Sequence, residues 1–165
     1  AGEMVRSNVV YNPATKAGKY FDKEGNRVTG RQYSDGHLYY FNEDGSQAKG
    51  EIIEENGIKY YYEPESGILA SGRYLQVGDD QWMYFKQDGS LAIGQVRADH
   101  GYLKYFDKNG IQVKGKTIVE DGKTYYYDAH SGALVTSSFA EIAPNHWSSF
   151  NTDGQAFKGK WTIHG

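Results

Sequence analysis

The chain contains no cysteine, so a disulfide framework, a thiol nucleophile and a cysteine-ligated zinc site are all excluded. Proline is scarce, at 3 of 165 residues, and aliphatic residues never gather into a long run. No stretch approaches the roughly 20 consecutive apolar residues of a spanning helix. None shows a basic amphipathic helical period either, so membrane insertion is not expected. Basic residues are not clustered: 18 Lys and Arg are interspersed with 21 Asp and Glu for a net charge of -3, which leaves no basic face for a nucleic-acid partner. Helical periodicity is missing throughout. The start at Ala1 carries no basic or apolar leader, so any secretion signal is expected on a longer precursor.

What the chain does have is aromatic residues and glycine: Tyr 15, Phe 7, Trp 3 and Gly 21. Aromatic side chains therefore carry packing and recognition together. They are also periodic. An aromatic residue is followed four or five positions later by glycine in seven places: Phe21 with Gly25, Phe41 with Gly45, Tyr62 with Gly67, Phe85 with Gly89, Phe106 with Gly110, Tyr127 with Gly132, and Phe150 with Gly154. Five residues after each glycine comes another small residue, from Gly30 and Gly50 through to Ser137 and Gly159, so the unit is 20 to 22 residues long. A longer period overlies it. Gly45 and Gly110, Gly67 and Gly132, Gly89 and Gly154, and Trp82 and Trp147 are each 65 residues apart.

Each unit reads as a hairpin. Asp35-Gly36, Asn56-Gly57, His100-Gly101 and Asp121-Gly122 sit between short runs of strand formers, where a tight turn needs positive φ. A second turn follows the anchor, at Asp44-Gly45, Asp88-Gly89, Asn109-Gly110 and Asp153-Gly154. An isolated hairpin is only marginally stable in water, so each unit must bury its aromatic face on its neighbours. The fold class expected is all-β, a β-solenoid of stacked hairpin repeats of 20 to 22 residues, about three per turn. A single repeat domain over 1–165 is expected: a leading segment 1–18, repeats at 19–30, 31–50, 51–72, 73–94, 95–115, 116–137 and 138–159, and a truncated further repeat at 160–165.

Strand alternation places the anchors on one face and the residues before them on the other. Those residues are Tyr20, Tyr40, Tyr61, Tyr84, Tyr105, Tyr126 and Ser149. A flat ring with a hydroxyl suits a sugar, although sealing the contact between units is an equally ordinary use of a tyrosine. Gln47 with Lys49 in "GSQAKG", and Gln112 with Lys114 in "GIQVKG", add donors and acceptors of the kind that satisfy vicinal sugar hydroxyls.

The units "GHLYYFNEDGSQAKG", "YLKYFDKNGIQVKG" and "GIKYYYEPESGILASG" resemble the cell-wall/choline-binding superfamily of repeats, and most of all the glucan-binding repeats of bacterial glucansucrases and streptococcal glucan-binding proteins. The resemblance implies a non-catalytic module that holds α-glucan in pockets built from a stacking Tyr with Gln and Lys. Two pockets follow, one on Tyr40, Gln47 and Lys49 and one on Tyr105, Gln112 and Lys114, with Tyr60, Tyr61, Tyr125 and Tyr126 of the following units closing them. It further implies an extracellular or surface-associated monomer, without cofactor, accessory to a glucosyltransferase. Ser71, Ile93 and Thr136 replace the lysine in other units, which reads as degenerate sites. The choline-binding branch places Trp after the closing glycine to build an aromatic cage. Arg31, Glu51, Arg73, Gln95, Lys116, Ser138 and Lys160 stand there instead.

Two other classes compete. A hydrolase needs a pair of carboxyl groups in a cleft, whereas Asp44, Asp88 and Asp153 are turn formers. His37, His100, His130, His146 and His164 have no metal-ligand spacing. A structural stalk, or an attachment module for cell-wall or receptor glycans of the kind found in surface proteins and toxins, remains the alternative to glucan binding.

Overall fold

The computed structural model describes residues 8–12, 17–21, 24 and 26–157. The described chain is all-β apart from one 3-10 turn, Asp99–Gly101. Six hairpins pair neighbouring strands: β1 (Asn8–Asn12) with β2 (Ala17–Phe21), β3 (Gly30–Ser34) with β4 (His37–Phe41), β5 (Glu51–Glu55) with β6 (Ile58–Tyr62), β7 (Arg73–Gly78) with β8 (Gln81–Phe85), β12 (Lys116–Glu120) with β13 (Lys123–Tyr127), and β14 (Ser138–Ala143) with β15 (His146–Phe150). Between them β9 (Gly94–Arg97), β10 (Leu103–Phe106) and β11 (Gln112–Val113) form a three-stranded sheet in the order β11-β10-β9. The first hairpin opens inside 1–18, the segment expected from sequence to enter the repeats.

The turns follow from residue type. Asp35 and Gly36 have φ of 50° and 81°, Asn56 and Gly57 of 52° and 81°, and Asp121 and Gly122 of 50° and 74°. Both central residues are thus left-handed, the geometry that matches the twist of the flanking strands. His100 and Gly101 share those signs, at 57° and 79°, but Arg97 pairs with Leu103, so the expected tight turn is a five-residue loop. Two further hairpin turns have no Asx-Gly pair: Asp79-Asp80 joins β7 to β8, and Pro144-Asn145 joins β14 to β15. Both hairpins carry a β-bulge, at Gln76/Gly78 and at Glu141/Ala143.

The strand after the second turn returns to the hairpin. Gln47 pairs with Phe41, Leu69 with Tyr62, Gln112 with Phe106, Leu134 with Tyr127 and Ala156 with Phe150. The anchors Phe41, Tyr62, Phe85, Phe106, Tyr127 and Phe150 are at most 2% exposed, as their spacing predicts. Phe21 and Tyr20 lie outside the residues whose side chains are described.

The chain divides into two compact units, Ala1–Ser71 with Gln87–Leu91, and Gly72–Lys86 with Ala92–Gly165. Inside each, hairpins are stitched by backbone bonds. In the first, Leu69 N donates to Leu38 O and Leu91 N to Lys59 O, both at 2.9 Å. In the second, Leu134 N donates to Leu103 O and Ala156 N to Thr124 O, both at 2.8 Å. Every atom in the second pair of bonds stands 65 residues after its counterpart in the first. The long period of the sequence is therefore a period of hydrogen bonding.

The five-residue loop is held by a polar cluster in the second unit. The Tyr74 hydroxyl and Lys104 Nζ, the latter at 3.0 Å, both donate to Asp99 Oδ1. Lys104 is buried, with its ammonium 5.2 Å from the centroid of the Tyr74 ring. Burial alone would raise the Asp99 carboxyl, but the bonds from Tyr74 and Lys104 hold it below its ordinary value.

Candidate functional site

The tyrosine row divides into two classes. Where the next anchor is Phe, the rings stack: Tyr84 lies 6.1 Å from Phe106 at 24°, and Tyr126 lies 6.3 Å from Phe150 at 28°. Where it is Tyr, they tilt: Tyr40 lies 5.7 Å from Tyr62 at 42°, and Tyr105 lies 5.5 Å from Tyr127 at 44°. Tyr84 and Tyr126 are buried, while Tyr40 and Tyr105 stay half-buried. An anchor Tyr has a hydroxyl that needs a partner. Tyr62 donates to Glu55 Oε2 at 2.9 Å, and Tyr127 accepts from Gln95 Nε2 at 2.9 Å. Burial, offset in part by the Gln95 bond, pushes the Tyr127 phenol up to about 12.

All four of these row residues thus pack on the anchor of the next repeat. Tyr61 is buried too, so neither Tyr61 nor Tyr126 offers a free face. The Tyr60 ring is covered by the Arg31 guanidinium, 4.4 Å from its centroid, and Arg31 in turn forks onto Glu55 at 3.2 Å and 3.0 Å. Tyr125 is half-buried. Tyr40 and Tyr105 are the members of the row that belong to the Gln-x-Lys repeats, and both keep part of the ring exposed.

Register decides where glutamine and lysine go. Directly opposed residues of an antiparallel pair share a face. Tyr105 opposes Val113, and Phe106 opposes Gln112. Gln112 therefore lies on the anchor's face, and Tyr105 on the other. The glutamine is drawn onto the turn of the following repeat. A Cβ on Gly132 would lie 2.4 Å from Gln112 Nε2, and one on Gly67 would lie 2.3 Å from Gln47 Nε2. Gln47 Nε2 donates to Ser66 O at 3.2 Å, whereas Gln112 Nε2 is buried with no hydrogen-bond partner. Lys49 and Lys114, two residues on, are exposed.

At Gly132, with φ +75°, an added methyl group would press on the far end of the Gln112 side chain. We expect Gly132→Ala to lower stability by about 1–3 kcal/mol, from left-handed strain plus displacement of the Gln112 amide. Gly122→Ala, with φ +74° but nothing within 4 Å, should show the strain alone. Equal losses in chemical denaturation would contradict the glutamine contact.

Gln112 and Lys114 line a cavity of about 610 Å³ in the second unit, together with Trp82, Asp107, Lys116 and His130. Tyr105, Tyr125 and Tyr126 do not line it. The sequence thus points to the polar pair but misses the aromatic wall. Its signal was the recurrence of Trp82 at Trp147, each just past a bulged turn. Among the described residues no group of three His, Asp or Glu could hold a metal ion, and no helix could cross a membrane.

Comparisons with known proteins bear on this arrangement. The sequence profile of the choline-binding repeat matches residues 28–74 and 99–139. The chain is 37% identical over 148 residues to Glucosyltransferase-S of Streptococcus mutans serotype c, a match that covers 89% of this chain and 10% of that protein. Choline-binding protein F of Streptococcus pneumoniae, solved in the presence of a peptidoglycan analogue, superposes with a TM-score of 0.70 at 25% identity over 92% of this chain and 46% of that one. The choline-binding domain of CbpL from the same organism gives 0.73 at 24%, over 92% of this chain and 77% of that one, a likeness of fold.

Proposed function

Because the chain belongs to the choline-binding repeat family, we propose that it is a non-catalytic carbohydrate-binding module whose ligand is α-glucan. The observation that carries this reading is the cavity that joins Gln112 and Lys114; the pair recurs in sequence at Gln47 and Lys49, and the half-buried Tyr40 and Tyr105 lie on the other face of the same repeats. An amide and an ammonium present donors and an acceptor to vicinal hydroxyls, and a half-buried ring offers an apolar face to the C–H side of a sugar. The similarity to Glucosyltransferase-S supports an accessory role beside a glucosyltransferase; the proposal places both outside the cell. The chain spans only a tenth of that relative's length, which supports reading it as an accessory segment.

A choline ligand is not favoured. Arg31, Glu51, Arg73, Gln95, Lys116 and Ser138 follow the closing residues of their repeats, and none offers the aromatic face on which a quaternary ammonium is held.

Each site would hold a short stretch of glucan weakly, and two sites on one chain would retain a polymer through effective concentration. Affinity electrophoresis through dextran, with starch and choline as separate comparisons, tests this. Dextran should retard the protein, choline should not compete, and Lys49→Ala combined with Lys114→Ala, both exposed, should weaken retention about a hundredfold. Undiminished retention by a folded double variant would overturn the Gln–Lys assignment, and no retention of the unmodified protein would overturn α-glucan as the ligand.

A further inference from the structure

We infer that Trp82 is a sugar-stacking residue of the Gln112–Lys114 cavity, carried into its wall by the bulged tip of the β7–β8 hairpin. The inference rests on the carbohydrate reading above and adds a recognition residue that the Tyr, Gln and Lys pattern does not contain.

The bulge is the first support. Among the described hairpins, only β7–β8 and β14–β15 carry one, and each has a tryptophan opposite, Trp82 beside Gln76 and Trp147 beside Glu141. A bulge bends its strand, increases the local twist and re-aims a side chain. Trp82 is half-buried and lines the cavity, so its indole is neither a core residue nor a solvated one.

The rest of the wall defines the ligand class. Asp107, Lys114, Lys116 and His130 all line the cavity, so both signs of charge face the space. Such a lining suits a neutral polyhydroxylated ligand better than a phosphate or an ammonium ion. The buried Gln112 Nε2 has no protein partner, and an unsatisfied donor in a cavity wall calls for an acceptor. Rotation of the amide toward the cavity would give it a sugar hydroxyl, while the apolar side of the same pyranose rests on the indole.

The two polar pairs are then unequal. Gly18 stands three residues before the Phe21 anchor, as Trp82 does before Phe85, so the Gln47–Lys49 repeat has no matching indole in its sequence. The cavity at Gln112 and Lys114 should bind a short oligosaccharide more tightly than its counterpart.

The test uses the whole chain, isomaltohexaose and intrinsic fluorescence, since Trp82, Trp147 and Trp161 are the only indoles. Titration should shift the emission of the unmodified protein and of Trp147→Phe, but not that of Trp82→Phe. Trp82→Ala should lose about tenfold in affinity for the oligosaccharide. If Trp82→Ala fails to fold by circular dichroism, Trp82→Phe decides through its emission. Retention of the unmodified protein on dextran, with a Trp82→Phe titration curve indistinguishable from it, would overturn the indole's role and leave the carbohydrate reading standing. Absence of any retention or spectral change in the unmodified protein would overturn both.

Discussion

Phe106→Ala should destabilise the unit that contains it by about 3–5 kcal/mol. Phe106 is fully buried, stacked on Tyr84 and packed with Ala92, Ala98, Tyr74 and Val96. Two of those neighbours are alanines, with no rotatable side chain to swing into the space a lost ring leaves. The cavity would persist, and the Tyr84 ring would lose the face it stacks on, a contact worth about 0.5–1.5 kcal/mol beyond burial. Phe106→Leu, which keeps much of the volume, should fall nearer 1–2 kcal/mol, on the order of other conservative core changes. Tyr105→Ala, one position earlier and on the opposite face, should fall well below Phe106→Ala, because its ring is only half-buried. Urea denaturation followed by tyrosine fluorescence and circular dichroism ranks the three. A Phe106→Ala loss no larger than that of Tyr105→Ala would sink the assignment of anchor and row to opposite faces.

That ranking rests on what local sequence determines. An Asx-Gly pair commits its backbone to left-handed φ, and period-2 alternation then sends Phe106 and Tyr105 to opposite faces. Both facts are written within ten residues, so the hairpins and the buried anchors were legible. The exposure of each row tyrosine was not, because it depends on the anchor of the next repeat, some twenty residues on. Tyr84 meets Phe106 and is sealed, while Tyr105 meets Tyr127 and stays partly open. The candidate site followed the same rule. The pair that spacing singles out, Gln112 and Lys114, lines one cavity, whereas register sets Tyr105 on the other face. Trp82 was missed because its bulged turn, Asp79-Asp80, contains no glycine and because the wall it forms stands thirty residues before the pair it faces.

Asp99→Ala should cost about 2–3 kcal/mol near neutral pH, whereas Lys104→Met should cost less than about 1 kcal/mol. The asymmetry comes from burial. Lys104 keeps 10% of its side-chain surface exposed and Asp99 keeps 38%. Removing the carboxylate strands a buried ammonium and takes the acceptor from the Tyr74 hydroxyl as well. Removing the ammonium leaves a carboxylate that water reaches and Tyr74 still bonds, and methionine fills the space of the lysine stem.

The pH dependence carries the same signature. Asp99 is held below its ordinary value of 3.8 in the folded state, so its contribution is present above that value and is lost as pH falls through the lower folded one. Burial and the Asp99 bond raise the Tyr74 phenol above 10.0, so its contribution is present below that value and is lost as pH rises past it. The stability gap between the unmodified chain and Asp99→Ala should therefore be widest between these limits and narrow on both sides. In Lys104→Met the acid limb should become shallower, because Asp99 loses one of the two bonds that depress it. Urea midpoints of the three proteins from about pH 2 to about pH 12 measure both effects. If Lys104→Met were as damaging as Asp99→Ala, the cluster would act as a simple ion pair, and the Tyr74 bond would have no separate part in holding the loop.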